Sequence, residues 1–140
     1  MIAMNHYGTG RRFEWKTRDD LAANGYDVIR AAGSKGGTKI DLAGFKPGEL
    51  VLVQCKTDGA LPPAEWDRLV EVANWVKAVP LLAMNGPRGR GVAYIELLGP
   101  KLRGKQLQNQ LCRPFILDRL AAAAVQPPPT ADAWNQVGGL

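Results

Sequence analysis

Residues 40–56, which read IDLAGFKPGELVLVQCK, decide the fold of this 140-residue chain. Two runs of strand-forming residues, 40–45 and 50–56, flank a turn at 46–48 that contains Pro and Gly. The second run begins with apolar residues at successive positions, so both of its faces are apolar there. We therefore predict that it is a central strand covered on both faces of a sheet.

The sequence before and after this segment contains stretches with helical periodicity and stretches with strand periodicity. Gly25 is expected to end a first helix, and Pro62 with Pro63 to open a second one, which carries apolar residues at helical spacing. In chain order the predicted elements are a helix over 11–24, strands over 26–30, 40–45 and 50–56, a helix from residue 62, and strands over 79–84 and 92–97. This order predicts an α/β fold with a mixed central β-sheet flanked by helices.

The chain is long enough for one compact domain with little left over. We expect a core domain over residues 1–98, followed by a basic C-terminal extension over 99–126. Residues 114–124 are predicted to form a short helix that packs on the core or on a dimer partner. Three consecutive prolines follow at 127–129, and we expect residues 127–140 to be a disordered tail.

Composition excludes several classes of protein. No apolar run approaches the roughly 20 residues of a membrane span, and the first ten residues lack a signal-peptide core, so we expect a cytoplasmic protein without a membrane partner. Cys55 and Cys112 permit a disulfide but do not require one. A single histidine, His6, and the absence of a CxxC pair argue against a zinc site.

The chain is moderately basic, with 18 Lys and Arg against 13 Asp and Glu. Arg88 and Arg90 lie in a glycine-rich turn, and Lys101, Arg103 and Lys105 form a second basic group. Such positions suit contacts with DNA phosphates, which supply most sequence-independent DNA affinity. The alternative is an ordinary solvated surface.

Two acidic residues occupy awkward positions in the predicted elements. Glu14 falls on an arc of the first helix where a carboxylate needs a metal or a cation as partner. The residues expected on that buried arc are Phe13, Trp15, Thr17, Leu21 and Ala22. An ion pair with Arg18 is the alternative. Asp41 stands at the start of a strand after a glycine-rich loop, although Asp is a poor strand former. A simple strand-start aspartate is the alternative there.

Gln54 and Lys56 alternate with Cys55 near the end of the central strand, so both point to one face. Unless the strand is emerging into solvent, two polar side chains on this face are costly without a function. Together with Asp41 they place an acid, an amide and an amine at adjoining strand ends. Oxygen ligands beside a lysine are the groups that magnesium-assisted hydrolysis requires.

At these residues the chain resembles the PD-(D/E)xK nuclease superfamily, and within it the archaeal-type Holliday junction resolvases. The matching text is GRRFEWKTRDDLAANGYDVIRAAGSKGGTKIDLAGF at residues 10–45, followed by LVLVQCKTDG at 50–59. The resemblance covers about residues 8–97. It implies a restriction-endonuclease-like αβββαβ core, so that the predicted core domain would be a nuclease core.

The resemblance also implies roles for individual residues. Glu14 and Asp41 would hold Mg²⁺, for which Mn²⁺ can substitute, helped by Gln54 and by the backbone carbonyl of Cys55. Lys56 would orient the water or stabilise charge on phosphorus, and Ser34 would assist the active site or contact the DNA backbone. The residues expected to contact DNA phosphates in addition to the basic groups above are Arg11, Arg12, Arg30, Lys35 and Lys39.

One position departs from the family pattern. Residue 54 is usually Glu in the resolvases, and the Gln found here carries one negative charge fewer for a metal ion. The Mrr-like branch of the superfamily is similar in carrying QxK, often as QCK. Gln54 therefore makes the chain less like the resolvase branch and more like the Mrr-like branch of the superfamily.

These features predict a Mg²⁺-dependent, structure-selective DNA endonuclease that acts on four-way junctions. Two alternatives stay open: an Mrr-like or repair endonuclease that acts on duplex DNA, and a non-catalytic DNA-binding module of the same fold. Symmetric cutting of a junction implies a homodimer. Its interface is expected on the helix with Trp66 and Trp75, or on residues 115–120.

Overall fold

A computed structural model gives the structure of the protein and describes residues 6–31 and 40–117, with side chains from Gly10 onward. The two helices are α1 (His6–Ala23) and α2 (Pro63–Val76). The strands are β1 (Asp27–Arg30), β2 (Leu42–Lys46), β3 (Glu49–Cys55), β4 (Val79–Asn85), β5 (Val92–Leu97) and β6 (Cys112–Phe115). Among the described residues, neither helix is long and apolar enough to cross a membrane.

In the described part of the chain, six strands form one sheet in chain order, β1 to β6. Among these six, only β3 and β4 are parallel neighbours, and α2 makes the crossover between them. The other neighbouring pairs of these strands are antiparallel. Parallel neighbours need such a crossover because the chain must return to the same end of the sheet. The prediction of an α/β fold with a mixed central sheet is confirmed.

Each face of the sheet has its own apolar core. Alternate residues of β3 serve the two faces: Val51 and Val53 pack with Phe13 of α1, whereas Leu52 packs with Trp66 of α2. This arrangement confirms β3 as a central, doubly covered strand. Alternation along β3 then places Gln54 on the α2 face, with Leu52.

The C-terminal part of the sheet corrects one prediction. Pro114 and Phe115 belong to β6, which pairs with β5, so the helix predicted over 114–124 is wrong at those two residues, and residues 118–124 lie outside the described part. An edge strand accepts Pro114 because one side of its backbone needs no partner. The short apolar run could not distinguish strand from helix. The sheet thus continues past residue 98, where the core was expected to end.

The position of Asp41 relative to β3 follows from the register of the sheet. Leu42 pairs with Val53 in the antiparallel β2–β3 ladder, so the residues just before β2 lie beside the end of β3. Asp41 is therefore brought close to residues 54–56, as the sequence predicts.

Candidate active site

Asp41 joins three strands through its backbone and side chain. Its N–H donates to the carbonyl of Val53 (3.0 Å), and its own carbonyl accepts from the N–H of Ala31 (2.9 Å). The side-chain Oδ2 accepts a hydrogen bond of 2.7 Å from the N–H of Cys55. These bonds hold the carboxylate at the point where β3 ends.

The surroundings of Asp41 disfavour its charged form. Burial raises its pKa from 3.8 to about 6, and the carboxylates of Glu14 and Glu65 also raise it. The N–H of Cys55 and the ammonium of Lys56 lower the pKa but do not outweigh burial. A site with this balance favours a bound cation, because a cation offsets the cost of the buried charge.

Gln54 and Lys56 lie next to Asp41 on the α2 face of the sheet. Gln54 is only 3% exposed, and its Oε1 has no hydrogen-bond partner among the described residues. An unpartnered buried acceptor is costly and needs an explanation, such as an ion or a water molecule. The Nζ of Lys56 lies 3.7 Å from Oε2 of Glu65.

Glu14 makes a contact that the sequence did not indicate. Its Oε2 accepts a 2.8 Å hydrogen bond from Nε of Arg30, and the two form a partly buried ion pair. Arg18, the alternative partner considered from the sequence, is paired with Asp19 instead. Glu14 lies at the edge of the buried stripe of α1, and Trp15 beside it is exposed. Arg30, expected to contact phosphate, thus neutralises Glu14 in this structure.

Glu65 is a residue of the site that sequence reasoning missed. It lies in the first turn of α2, and its side chain is 17% exposed. A carboxylate near the start of a helix is favoured by the helix dipole, so its sequence position alone gave no functional signal. Only the packing of α2 against the sheet brings it to Lys56.

A cleft of about 260 Å³ opens beside these residues. Its lining comes from α1, from the end of β3 and from the loop that follows: Gly10, Phe13, Glu14, Cys55, Lys56, Thr57 and Asp58. Glu14 lines the cleft from α1, and Lys56 lines it from the end of β3. An anionic substrate in the cleft would therefore lie near both the carboxylate and the ammonium group.

The donor atoms fit a hard divalent cation by type, since they are carboxylate oxygens and the buried amide oxygen of Gln54. Within the described residues, however, no three His, Cys, Asp or Glu side chains are already gathered around one metal position. Glu14 is paired with Arg30, so ion binding by Glu14 would replace that pairing. Asp41 accepts from the N–H of Cys55 through one of its two carboxylate oxygens.

The turn that presents Arg88 and Arg90 is fixed by a glycine. A Cβ at Gly86 would lie 2.0 Å from the carbonyl oxygen of Arg90, which backbone cannot accommodate. The N–H of Asn85, just before this turn, donates to the carbonyl of Thr57 on the cleft (3.0 Å). Both arginines are exposed, and the turn starts next to the candidate site.

The other predicted DNA contacts differ in their surroundings. Arg12, Arg103 and Lys105 are exposed, whereas Arg11 is half-buried. The ammonium of Lys101 donates to the carbonyl of Leu61 and lies 5.7 Å from the ring centre of Trp66, so it is engaged within the protein. Ser34, Lys35 and Lys39 lie outside the described residues.

Comparisons with known proteins agree with this architecture. A protein-family model described as archaeal Holliday junction resolvase (Hjc) matches residues 5–107. Over 55 residues the chain is 42% identical to the crossover junction endodeoxyribonuclease Hjc of Methanocaldococcus jannaschii, a stretch that covers 39% of each protein.

A solved structure supports the fold independently. The Holliday junction resolvase Hjc of Archaeoglobus fulgidus aligns with a TM-score of 0.54 and 23% identity, covering 70% of this chain and 80% of that one. At that identity the likeness shows a shared fold. Taken with the family match over residues 5–107, it means that the chain belongs to the archaeal Holliday junction resolvase family, within the metal-dependent PD-(D/E)xK nuclease superfamily.

Proposed function

We propose that this protein is a Mg²⁺-dependent endonuclease that hydrolyses phosphodiester bonds at four-way DNA junctions. The observation that carries the proposal is the hydrogen bond from the N–H of Cys55 to the carboxylate of Asp41, at the end of β3 where Glu14 and Lys56 line a cleft. Membership of the resolvase family supports the choice of a branched DNA substrate.

The proposed metal ligands are Glu14, Asp41, Gln54 and the backbone carbonyl of Cys55. The unpartnered Oε1 of Gln54 supports a ligand role for the amide oxygen, and the buried carboxylate of Asp41 supports the need for a cation. When bound, Mg²⁺ supplies Lewis-acid polarisation of a water molecule and of a phosphate oxygen. Mn²⁺ is expected to substitute.

The residues of the chain supply the remaining chemistry. The hydrogen bond from the N–H of Cys55 to Oδ2 fixes the orientation of the Asp41 carboxylate, and so also the position of its other oxygen. Lys56, which borders the cleft, is placed to donate to a non-bridging phosphate oxygen and to stabilise charge that develops there. If Glu14 held the ion, its partner Arg30 would be available to donate to a phosphate oxygen.

DNA would be held by basic residues of the chain. Arg88 and Arg90 are the best supported, because their turn is tied to Thr57 on the cleft. Lys101 is poorly placed because its ammonium is engaged within the protein. The other proposed phosphate contacts are Arg11, Arg12, Arg103 and Lys105, with Ser34, Lys35 and Lys39 kept as predictions from the sequence.

A homodimer is part of the proposal, since symmetric cutting of a junction needs two sites related by a two-fold axis. Trp66 is fully buried within the chain and cannot form an interface. Trp75 is 83% exposed and Ile116 is also exposed, so both are available to contact a second copy. The cytoplasmic location expected from the sequence stays a prediction.

One experiment tests the activity. The protein is incubated with a synthetic four-way junction and with a matched linear duplex, with Mg²⁺ or with EDTA, and the products are separated on denaturing gels. We expect paired nicks in the junction only with Mg²⁺, and Asp41→Asn should bind the junction without cutting it.

Two results would contradict the proposal. Equal cutting of junction and duplex would favour the Mrr-like or repair endonuclease. Tight junction binding by the wild type without cutting, in either Mg²⁺ or Mn²⁺, would favour a binding module that has lost catalysis.

A further inference from the structure

The candidate site lacks a charge at residue 54. Gln54 lies in the site with a neutral side chain, although a divalent ion is held best where several carboxylates contribute charge. Asp41 and Glu14 provide two carboxylates, and Glu14 is shared with Arg30. A further acid close to Gln54 would therefore change how the site binds metal.

Glu65 lies on the same side of the sheet as Gln54 and Lys56. The first turn of α2, which carries Glu65, precedes the buried Trp66 that packs on Leu52. Leu52, Gln54 and Lys56 alternate along one face of β3 and the residue that follows it. Glu65 comes within 3.7 Å of Lys56, which shows that α2 directs the carboxylate toward this row.

The position of Glu65 is one that helix structure alone does not require. Its side chain is only 17% exposed, and its carboxylate lies beside Lys56, the residue that directly follows β3. The N–H of Cys55, one residue earlier, donates to the carboxylate of Asp41, so both acids lie at the end of β3. The helix dipole stabilises an acid in the first turn of α2, but it does not require that acid to be turned toward this strand end.

We propose, on the basis of the nuclease function above, that Glu65 supplies the active-site carboxylate whose charge Gln54 lacks. Glu65 joins Asp41 in holding the divalent ion, and its pairing with Lys56 belongs to the metal-free protein. As a metal ligand Glu65 would give up its contact with the ammonium of Lys56, and Lys56 would then be available to donate to a phosphate oxygen of the substrate.

The test uses the full chain and measures Mn²⁺ affinity without DNA, by electron paramagnetic resonance or calorimetry. Glu65→Gln should weaken Mn²⁺ binding about tenfold or more, since even outer-shell partners of metal ligands change affinity by about that factor. Adding Gln54→Glu to this variant should restore most of the affinity, because the charge returns at the neighbouring position. Glu71→Gln is the matched control, as Glu71 lies on the same helix and pairs with exposed Arg68.

Thermal unfolding in EDTA checks that the variants are folded, and Glu65→Asp, which keeps the charge, provides a second variant if Glu65→Gln does not fold. Unchanged Mn²⁺ affinity in Glu65→Gln would overturn the proposal, and slower cutting with that affinity intact would mean that Glu65 only positions Lys56. Failure of Gln54→Glu to restore affinity would also count against it.

The same measurements separate this inference from the proposed nuclease function. If the wild type cuts no DNA and Glu65→Gln still weakens Mn²⁺ binding, the carboxylate role holds and the nuclease proposal fails. If the wild type cuts junctions and Glu65→Gln binds Mn²⁺ and cuts equally well, only the role of Glu65 is rejected.

Discussion

Arg30, at the end of β1, donates a 2.8 Å hydrogen bond from Nε to Oε2 of Glu14 on α1. This ion pair joins the edge strand to the helix that borders the cleft. It also places the positive charge of Arg30 beside Glu14, one of the carboxylates proposed to hold the metal ion. The pair therefore competes with a divalent ion for Glu14.

Replacing Arg30 should strengthen metal binding in the absence of DNA. Removing one positive charge a few ångströms from Glu14 is worth about 1 kcal/mol in a largely aqueous setting, so Arg30→Gln should bind Mn²⁺ about fivefold more tightly. Calorimetry measures the affinity, with Arg18→Gln as control because Arg18 pairs with the exposed Asp19. Weaker Mn²⁺ binding would show instead that Arg30 holds Glu14 in the position needed for the ion.

The pKa of Asp41 predicts how stability varies with pH in EDTA. Burial raises this pKa from 3.8 to about 6 in the folded protein, so the folded state binds the proton more tightly than the unfolded state. Its contribution to stability is complete below pH 3.8 and is lost as the pH rises through about 6.

Asp41→Asn should remove the loss of stability at high pH, because the Asn side chain carries no charge that folding would bury. We expect it to raise the free energy of unfolding by about 1–2 kcal/mol at pH 8, and by little at pH 4. Urea unfolding at the two pH values measures the difference. An equal effect at both would show that titration of Asp41 does not govern the change.

Lys56 should affect cutting far more than binding. Lys56→Met removes the ammonium that borders the cleft, and loss of one such electrostatic group typically slows a reaction about 100- to 1,000-fold. Single-turnover cleavage of a labelled junction measures the rate, and a shift assay in Ca²⁺ measures binding. Lys16→Gln, a change at an exposed residue of α1, is the control. Cutting at the wild-type rate would remove Lys56 from the mechanism.

The turn with Arg88 and Arg90 should contribute affinity that does not depend on DNA sequence. Each Arg→Gln substitution is expected to weaken junction binding and to reduce the slope of log affinity against log salt by about 1. Fluorescence anisotropy over a range of salt concentrations provides the slope. Gly86→Ala should weaken binding as well, since its Cβ would clash with the carbonyl of Arg90. If the salt slope is unchanged in both the Arg88→Gln and the Arg90→Gln variants, the DNA does not contact this turn.

Much of the fold could be predicted because its signals are local. Successive apolar residues marked β3 as a central strand, and its residues do pack on both faces of the sheet. The prolines at 62 and 63 marked the start of α2. The edge strand β6 was missed, because a short apolar run with Pro114 acquires strand structure only by pairing with β5.

The sequence by itself determined the strand and helix periods, the sheet's central segment and the nearness of Asp41 to residues 54–56, since antiparallel pairing across a short turn leaves little freedom. The tertiary structure alone decided that Glu14 meets Arg30 and that Glu65 reaches Lys56. Those contacts depend on how α1 and α2 dock on opposite faces of the sheet. The positions of the two helices depend on packing throughout both apolar cores. No short stretch of sequence specifies that packing.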